Sequence, residues 1–389
     1  MKVKLLEDLE AVNPGAWDRV AGPDDPFSTH AFLSTLEASR SVGPGSGWHP
    51  VHVTVWDEDA AGEDELVGAL PLYVKEHSYG EYIFDWAWAD AAMRVGTDYY
   101  PKLVAMAPFT PATGSRLLVR PDQRARQRDI VGAMLVGAFE VAEQIDASSV
   151  HFLYVTEDER DALLALHPEL MPRLSMQYHW HNRSEAPYAD FDDYLGAFRS
   201  AQRKKVRKER RRVSEAGLDV RLLQGAEITP RIWRFLDRVY RNTANRKWGS
   251  PYLSRAFFEL APEALKDIAL AVVAFRDGEP VAATLNFERG RHVYGRYWGC
   301  RESHEMLHFE LCYYRLIERA IERGATRFEA GAQGQHKIKR GLLPSPVHSV
   351  HWVRHPVLRD AVRDFLPREA GATQRDMEEL ARSGPFKRE

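Results

Sequence analysis

Between Arg327 and Pro344 the chain reads RFEAGAQGQHKIKRGLLP. A short β-like run breaks into Gly331, Gly334 and Gly341, interleaved with His336-Lys337, Lys339 and Arg340. Glycine admits positive φ and close backbone approach. Cations beside such a turn suit an anion or a developing oxyanion, although a solvated strand-to-helix loop has a similar composition. A second cluster lies at Arg203–Arg212, where only Val206 and Glu209 are not cations. Cations on every face repel one another, and a single acidic stripe cannot answer them. The run reads as a solvated helix or as a grip for polyphosphate or an RNA backbone, and its density in a slightly acidic chain favours the second.

A third group, HSYGEYIFDWAWADA (77–91), alternates Tyr82, Phe84, Trp86 and Trp88 with Ile83, Asp85, Ala87 and Ala89. This predicts a strand with an aromatic face. The rings either fill a core or floor an acceptor cleft, with Lys75, His77, Tyr79, Lys102 and Arg116 as polar anchors and Asp85 and Trp88 on the strand. A second aromatic strand, HVYGRYWG (292–299), offers Arg296 and Trp298. The HExxH run at His304–His308 matches a zinc-protease spacing. It sits where a strand leaves for a helix and has no placed third ligand, so no metal site is expected.

The elements that hold these groups repeat. VHVTV and LVGALPLYV (51–55 and 66–74), joined by an acidic turn, form one expected hairpin; IALAVVAF and VAATLNF, joined by RDGEP, form another. Each is followed by an amphipathic helix and a strand. In the second helix Phe309, Cys312, Tyr313, Leu316, Ile317 and Ala320 make one apolar stripe, and Gly324 stops it. The reading is a duplicated α/β unit, with an insertion at 77–116 and a boundary in the polar stretch 182–193. The chain has 389 residues, 44% hydrophobic and 28% charged, and a net charge of −3, which excludes a globally basic nucleic-acid binder. Cys300 and Cys312 offer no CxxC spacing and suit a reducing compartment. The acidic start MKVKLLEDLEAV is no signal peptide, and the longest apolar run is too short to span a bilayer, so a cytoplasmic location is expected.

The motifs DPFSTHAFLSTLEAS, YYPKL, PFTPATGSRLLV, QYHWHN, RKKVRKERRRVSEAG, RKWGSPYL, YGRYWG, LHFELCYY and EAGAQGQHKIKRGLLP run from Asp25 to Pro344. On them the chain resembles the FemAB-like family and the Fem peptidoglycan aminoacyltransferases. That resemblance implies an α/β (α+β) fold of two tandem GNAT-like domains, each a mixed central sheet flanked by helices. Residues 1–189 would be the acceptor side and 190–389 the donor side. It implies acyl transfer from aminoacyl-tRNA to an amine on a cell-wall precursor or a small metabolite, with no cofactor. Arg203, Lys204, Lys205, Arg207, Lys208, Arg211, Lys339 and Arg340 would hold donor phosphates. Lys337, with amides of the Gly331–Gly334 turn, would stabilise the oxyanion, and Glu310, Glu329 or His336 would serve as base. The junction WGCRESHEMLHFEL lacks the glycine loop that holds the CoA pyrophosphate in acetyl-CoA enzymes. A CoA-dependent transferase and a non-catalytic recognition protein are the alternatives.

Overall fold

A computed structural model describes residues 1–58, 62–247, 250–331 and 334–387. Along the chain the strands are β1 (Lys2–Leu6), β2 (Trp48–Pro50), β3 (His52–Glu58), β4 (Asp64–Leu70), β5 (Leu72–Lys75), β6 (Lys102–Ala105), β7 (Leu118–Val119), β8 (Ser149–Val155), β9 (Met171–His181), β10 (Asp219–Gln224), β11 (Ala269–Arg276), β12 (Glu279–Arg289), β13 (His292–Cys300), β14 (Arg327–Glu329) and β15 (Leu343–Val353). The helices are α1 (Pro14–Ala21), α2 (His30–Ala38), α3 (Trp86–Arg94), α4 (Gln127–Gln144), α5 (Glu157–Leu166), α6 (Phe191–Gly196), α7 (Ser200–Glu215), α8 (Pro230–Lys247), α9 (Arg255–Ala264), α10 (Leu307–Phe309), α11 (Arg315–Glu322) and α12 (Pro356–Arg382). No helix of the described residues is long and apolar enough to cross a membrane.

The chain divides into two compact units, Met1–Ser175 with Pro346–Arg375, and Met176–Ser345 with Asp376–Glu389. The polar stretch 182–193 lies inside the second. In the first unit, β1, β3, β4 and β7 form one sheet, and β15, β8, β6, β5 and β2 run in that order in another. In the second unit the order is β10-β11-β12-β13-β14-β9. Each unit has antiparallel neighbours followed by one parallel step, β6 to β8 and β13 to β14. A helix lies in sequence between the two strands of each step, as a parallel pair requires. The two expected hairpins, helices and closing strands are all present in that order.

Three local expectations are corrected. Residues 66–74 are not one strand: Pro71, which has no N–H to give a ladder, separates β4 from β5, and the two enter different sheets. Residues 82–89 are not a strand with an aromatic face. Ile83 and Asp85 are buried while Phe84 and Trp86 are exposed, and a helical period takes over at Trp86. The reason is Asp85, whose carboxylate is drawn inward by Lys102. The helical stripe of 309–320 is interrupted by a π-turn at Glu310–Tyr314. The wider turn buries Glu310, Leu311 and Tyr314 alongside the expected Tyr313, Leu316, Ile317 and Ala320. Such turns are rare and concentrate at functional sites.

Helix α8 lies so close to β13 that a side chain at Gly299 would place its Cβ 2.4 Å from the Val239 carbonyl oxygen. Gly299→Ala is expected to destabilise the fold by about 1–3 kcal/mol, as overpacking does, read as a lowered midpoint in chemical denaturation.

Candidate active site

Strand β14 ends at Glu329, and the chain resumes in a 3₁₀ turn at Gln335–Arg340 after Gly334 (φ 113°). Ala332 and Gln333 are outside the described residues, so the expected amide cradle between Gly331 and Gly334 is described only at its two glycines. The turn directs Lys337 inward. Its side chain is 2% exposed and its ammonium donates to the Gly331 carbonyl at 2.6 Å. The Tyr178 ring centroid lies 5.9 Å away. Burial lowers the Lys337 pKa to about 7, with the Cys312 thiol acting in the opposite direction. His336 stays exposed, and its Nε2 is 2.8 Å from the Tyr313 hydroxyl. The rings of His308 and Phe309 pack against it. Tyr313 belongs to the π-turn, so the irregular helix meets the glycine turn at this residue.

Arg340 closes the turn. Its Nη1 donates to the His336 carbonyl at 2.8 Å, its Nη2 to Glu209 at 2.8 Å, and its guanidinium lies 3.4 Å over the Phe309 ring. Tyr314 donates to the same Glu209 carboxylate. Glu209, the one acid in the basic run, thus fastens α7 to the Lys337 turn. The assignment of Arg340 to donor phosphate is corrected: it is enclosed and committed to Glu209. Lys339 donates to the Ser383 carbonyl at 2.8 Å. The carboxylate candidates for a base are also committed. Glu310 is bound by Arg210 at 2.9 Å and by Arg315 at 3.1 Å. Glu329 pairs with Arg327 at 3.0 Å and lies 3.6 Å from His179.

The cations of α7 divide along its length. Arg207, Arg210, Arg211 and Arg212 pair with Asp192, Glu310 and Glu318, Glu215, and Glu305. The pairs of Arg207 and Arg211 are exposed and weak. Arg203, Lys204, Lys205 and Lys208 have no carboxylate partner among the described residues. The HExxH run is not one helical face: His304 pairs with Glu302 and Glu305 with Arg212, while Met306 between them and His308 is left-handed (φ 66°).

In the first unit Lys75, His77, Asp85 and Lys102 come together, but as a buried network. Lys102 donates to Glu81 and Ser78 at 2.8 and 2.9 Å and to Asp85. Lys75 donates to His77 Nδ1 and to the carbonyls of Tyr79 and Gly47, and sits 3.8 Å over the Trp48 ring. Burial lowers Lys75 to about 7 and raises Glu81 to about 7. These lysines support the 77–86 loop rather than face solvent; of the set only Tyr79 is well exposed. Arg116 lies elsewhere, buried on Asp25 at 3.1 Å and on the carbonyls of Ala112 and Leu153. Trp88 packs on His351 and beneath Arg173. In the second unit Arg296 stacks on Tyr297, and Trp298 meets His308 edge-on.

The α/β class expected from the sequence holds: mixed central sheets with flanking helices. The chain belongs to the FemAB-like family, described as peptidoglycan biosynthesis/recognition, whose model matches residues 8–388. Among solved structures it is similar to FemX, at 14% identity over 93% of this chain and 100% of that one, with a TM-score of 0.55. It is also similar to a conserved protein of unknown function from Bacteroides thetaiotaomicron, at 13% identity over 91% and 100% of the two chains (TM-score 0.53). The C-terminal domain of a putative lysylphosphatidylglycerol synthetase from Agrobacterium fabrum aligns at 10% identity over 90% and 94% (TM-score 0.52). At these identities the likeness is one of fold. A comparison with curated proteins returns no match.

Sequence reading missed Glu209, Tyr313 and Tyr314. The signal for Glu209 was present, since a lone acid inside a cationic run invites a specific partner. Removing the partner should be costly: Arg340→Met leaves Glu209 buried with one hydroxyl donor. A loss of about 3–5 kcal/mol is expected by the usual cost of breaking a buried pair, measured by thermal denaturation, with Glu209→Gln in the same background recovering part of it.

Proposed function

We propose that this protein transfers an aminoacyl group from an aminoacyl-tRNA to a primary amine on a cell-wall precursor or a small metabolite. The observation that carries the reading is Lys337, a buried amine without a carboxylate partner among the described residues, held on a glycine turn at the end of β14. Family membership supports the reaction class.

The neutral amine of the acceptor attacks the ester carbonyl. The carbonyl oxygen takes the negative charge, the ester C–O bond breaks, an amide forms, and the tRNA hydroxyl leaves with a proton. Lys337, donating from a low-dielectric site, stabilises the oxyanion; one such donor is worth about 10²–10³ in rate. The amine proton must go to a base, directly or through water. With Glu310 and Glu329 committed to arginines, His336 is the proposed acceptor of that proton, oriented by the Tyr313 hydroxyl. Arg203, Lys204, Lys205 and Lys208, the unneutralised cations of α7, take the phosphates of the donor, with the weakly paired Arg207 and Arg211 beside them. On the acceptor side, Tyr79 is proposed to contact substrate while Lys75 and Lys102 hold its loop.

Mass spectrometry of products formed from charged tRNA or acetyl-CoA with a panel of amines tests the donor. An adduct formed from acetyl-CoA alone would replace tRNA as the donor, and ligand binding without product under either donor would leave a recognition protein.

Lys337→Ala is expected to lower kcat by about 10²–10³ with a much smaller change in donor KM; an unchanged kcat removes Lys337 from the mechanism. Because its folded pKa is about 7, the ammonium loses its proton as pH rises through that value. The Lys337-dependent part of kcat should therefore fall above about pH 7, and a rise there would make Lys337 a base instead. Reversing Lys204 and Lys205 to Glu should raise donor KM and flatten its salt dependence; equal KM and slope would leave α7 a solvated face.

A further inference from the structure

The first turn of α7 carries no acid and has no side-chain cap; its N-cap residue is Arg199. Arg203 follows one turn later. Cations are favoured at the other end of a helix, because the N-terminus already holds partial positive charge. The C-terminal half of α7 answers its arginines with carboxylates, whereas this end does not.

A cavity of about 460 Å³ opens there, lined by Arg199, Leu343, Ala381, Arg382, Phe386 and Lys387 with Gly384. Its three cations have no carboxylate within ion-pairing distance among the described residues. Arg199 donates from Nη2 to the Gly384 carbonyl, while its Nε is shielded from solvent without a hydrogen-bond partner among the described residues. Leu343, Ala381 and the half-buried Phe386 supply an apolar floor. The volume falls in the range of sites for organic ligands, roughly 300–1,000 Å³, more than a bare phosphate fills. The walls are fixed: the Arg199 amide donates to the Pro385 carbonyl at 2.9 Å, and Lys339 donates to the Ser383 carbonyl at 2.8 Å. The second bond joins the cavity wall to the turn that carries Lys337.

We propose that this cavity binds the phosphate group of a nucleotide unit, with Arg199, Arg382 and Lys387 on the phosphate and the base against Phe386. Arginine forks suit phosphate, and aromatic faces accept any base. The proposal deepens the donor reading above, since an RNA end presents such a unit. Its test needs no turnover, so either reading can fail alone.

Isothermal titration of the full chain with inorganic phosphate, AMP and a short single-stranded RNA supplies the measurement. AMP or the RNA should bind more tightly than phosphate and more weakly as salt rises. The exposed double variant Arg382→Glu/Lys387→Glu should weaken that binding about tenfold or more. Arg382→Gln/Lys387→Gln gives a milder pair, and circular dichroism checks the fold of both. Tighter RNA than AMP assigns the cavity to an RNA end, and the reverse to a free nucleotide; both support it. No binding of AMP or RNA, binding no tighter than that of phosphate, or undiminished binding in both variants overturns it.

Discussion

The second unit turns on one buried ion pair. Glu209 points inward from a helix that is otherwise almost wholly cationic, and Arg340 meets it at 2.8 Å while Tyr314 adds a hydroxyl donor. A buried carboxylate is costly unless it is paired and hydrogen-bonded. This one has both, and in satisfying it the chain brings three distant segments together: the basic helix, the π-turned helix and the glycine turn. The rest of the candidate site follows. Arg340 also accepts the Phe309 ring as a platform and holds the His336 carbonyl, so the turn that aims Lys337 inward is fixed from the side of α7.

Lys337 has the opposite character. It is as deeply enclosed as Glu209, yet among the described residues its ammonium donates to a neutral carbonyl, and its pKa falls to about 7. A group left so under-compensated is a candidate for a functional site, and in the proposed acyl transfer it would meet the charge that forms on the carbonyl oxygen. The neighbouring carboxylates are not available for that purpose, because Arg210, Arg315 and Arg327 already engage them. Charge is thus concentrated in pairs around the turn, whereas among the described residues Lys337 and, on α7, Arg203, Lys204, Lys205 and Lys208 have no carboxylate partner.

The first unit spends its buried charges differently. Lys75, Lys102, Glu81 and Asp85 answer one another inside the core and fix the 77–86 loop. Residues that look like substrate anchors in the sequence prove to be internal supports, and the exposed rings of Tyr79, Phe84 and Trp86 are what that support presents. Arg116 does the same for Asp25 and the carbonyls of Ala112 and Leu153.

The sequence by itself determined the duplicated order of hairpin, helix and strand, the stop at Gly324, the amphipathic stripe ending at Ala320, and a glycine-broken turn after β14. These are local signals of period, turn chemistry and composition, and tertiary packing reinforced them. It could not determine the conformation of 82–89, where a period-two alternation was overridden by the pull of Lys102 on Asp85, nor the break at Pro71 that sends adjoining strands to different sheets. It could not show which cations were already neutralised. Arg340 and Lys204 read alike as residues; only the fold decides that one is buried on Glu209 and the other faces solvent, because a charge's role depends on the counter-charges that distant parts of the chain bring to it.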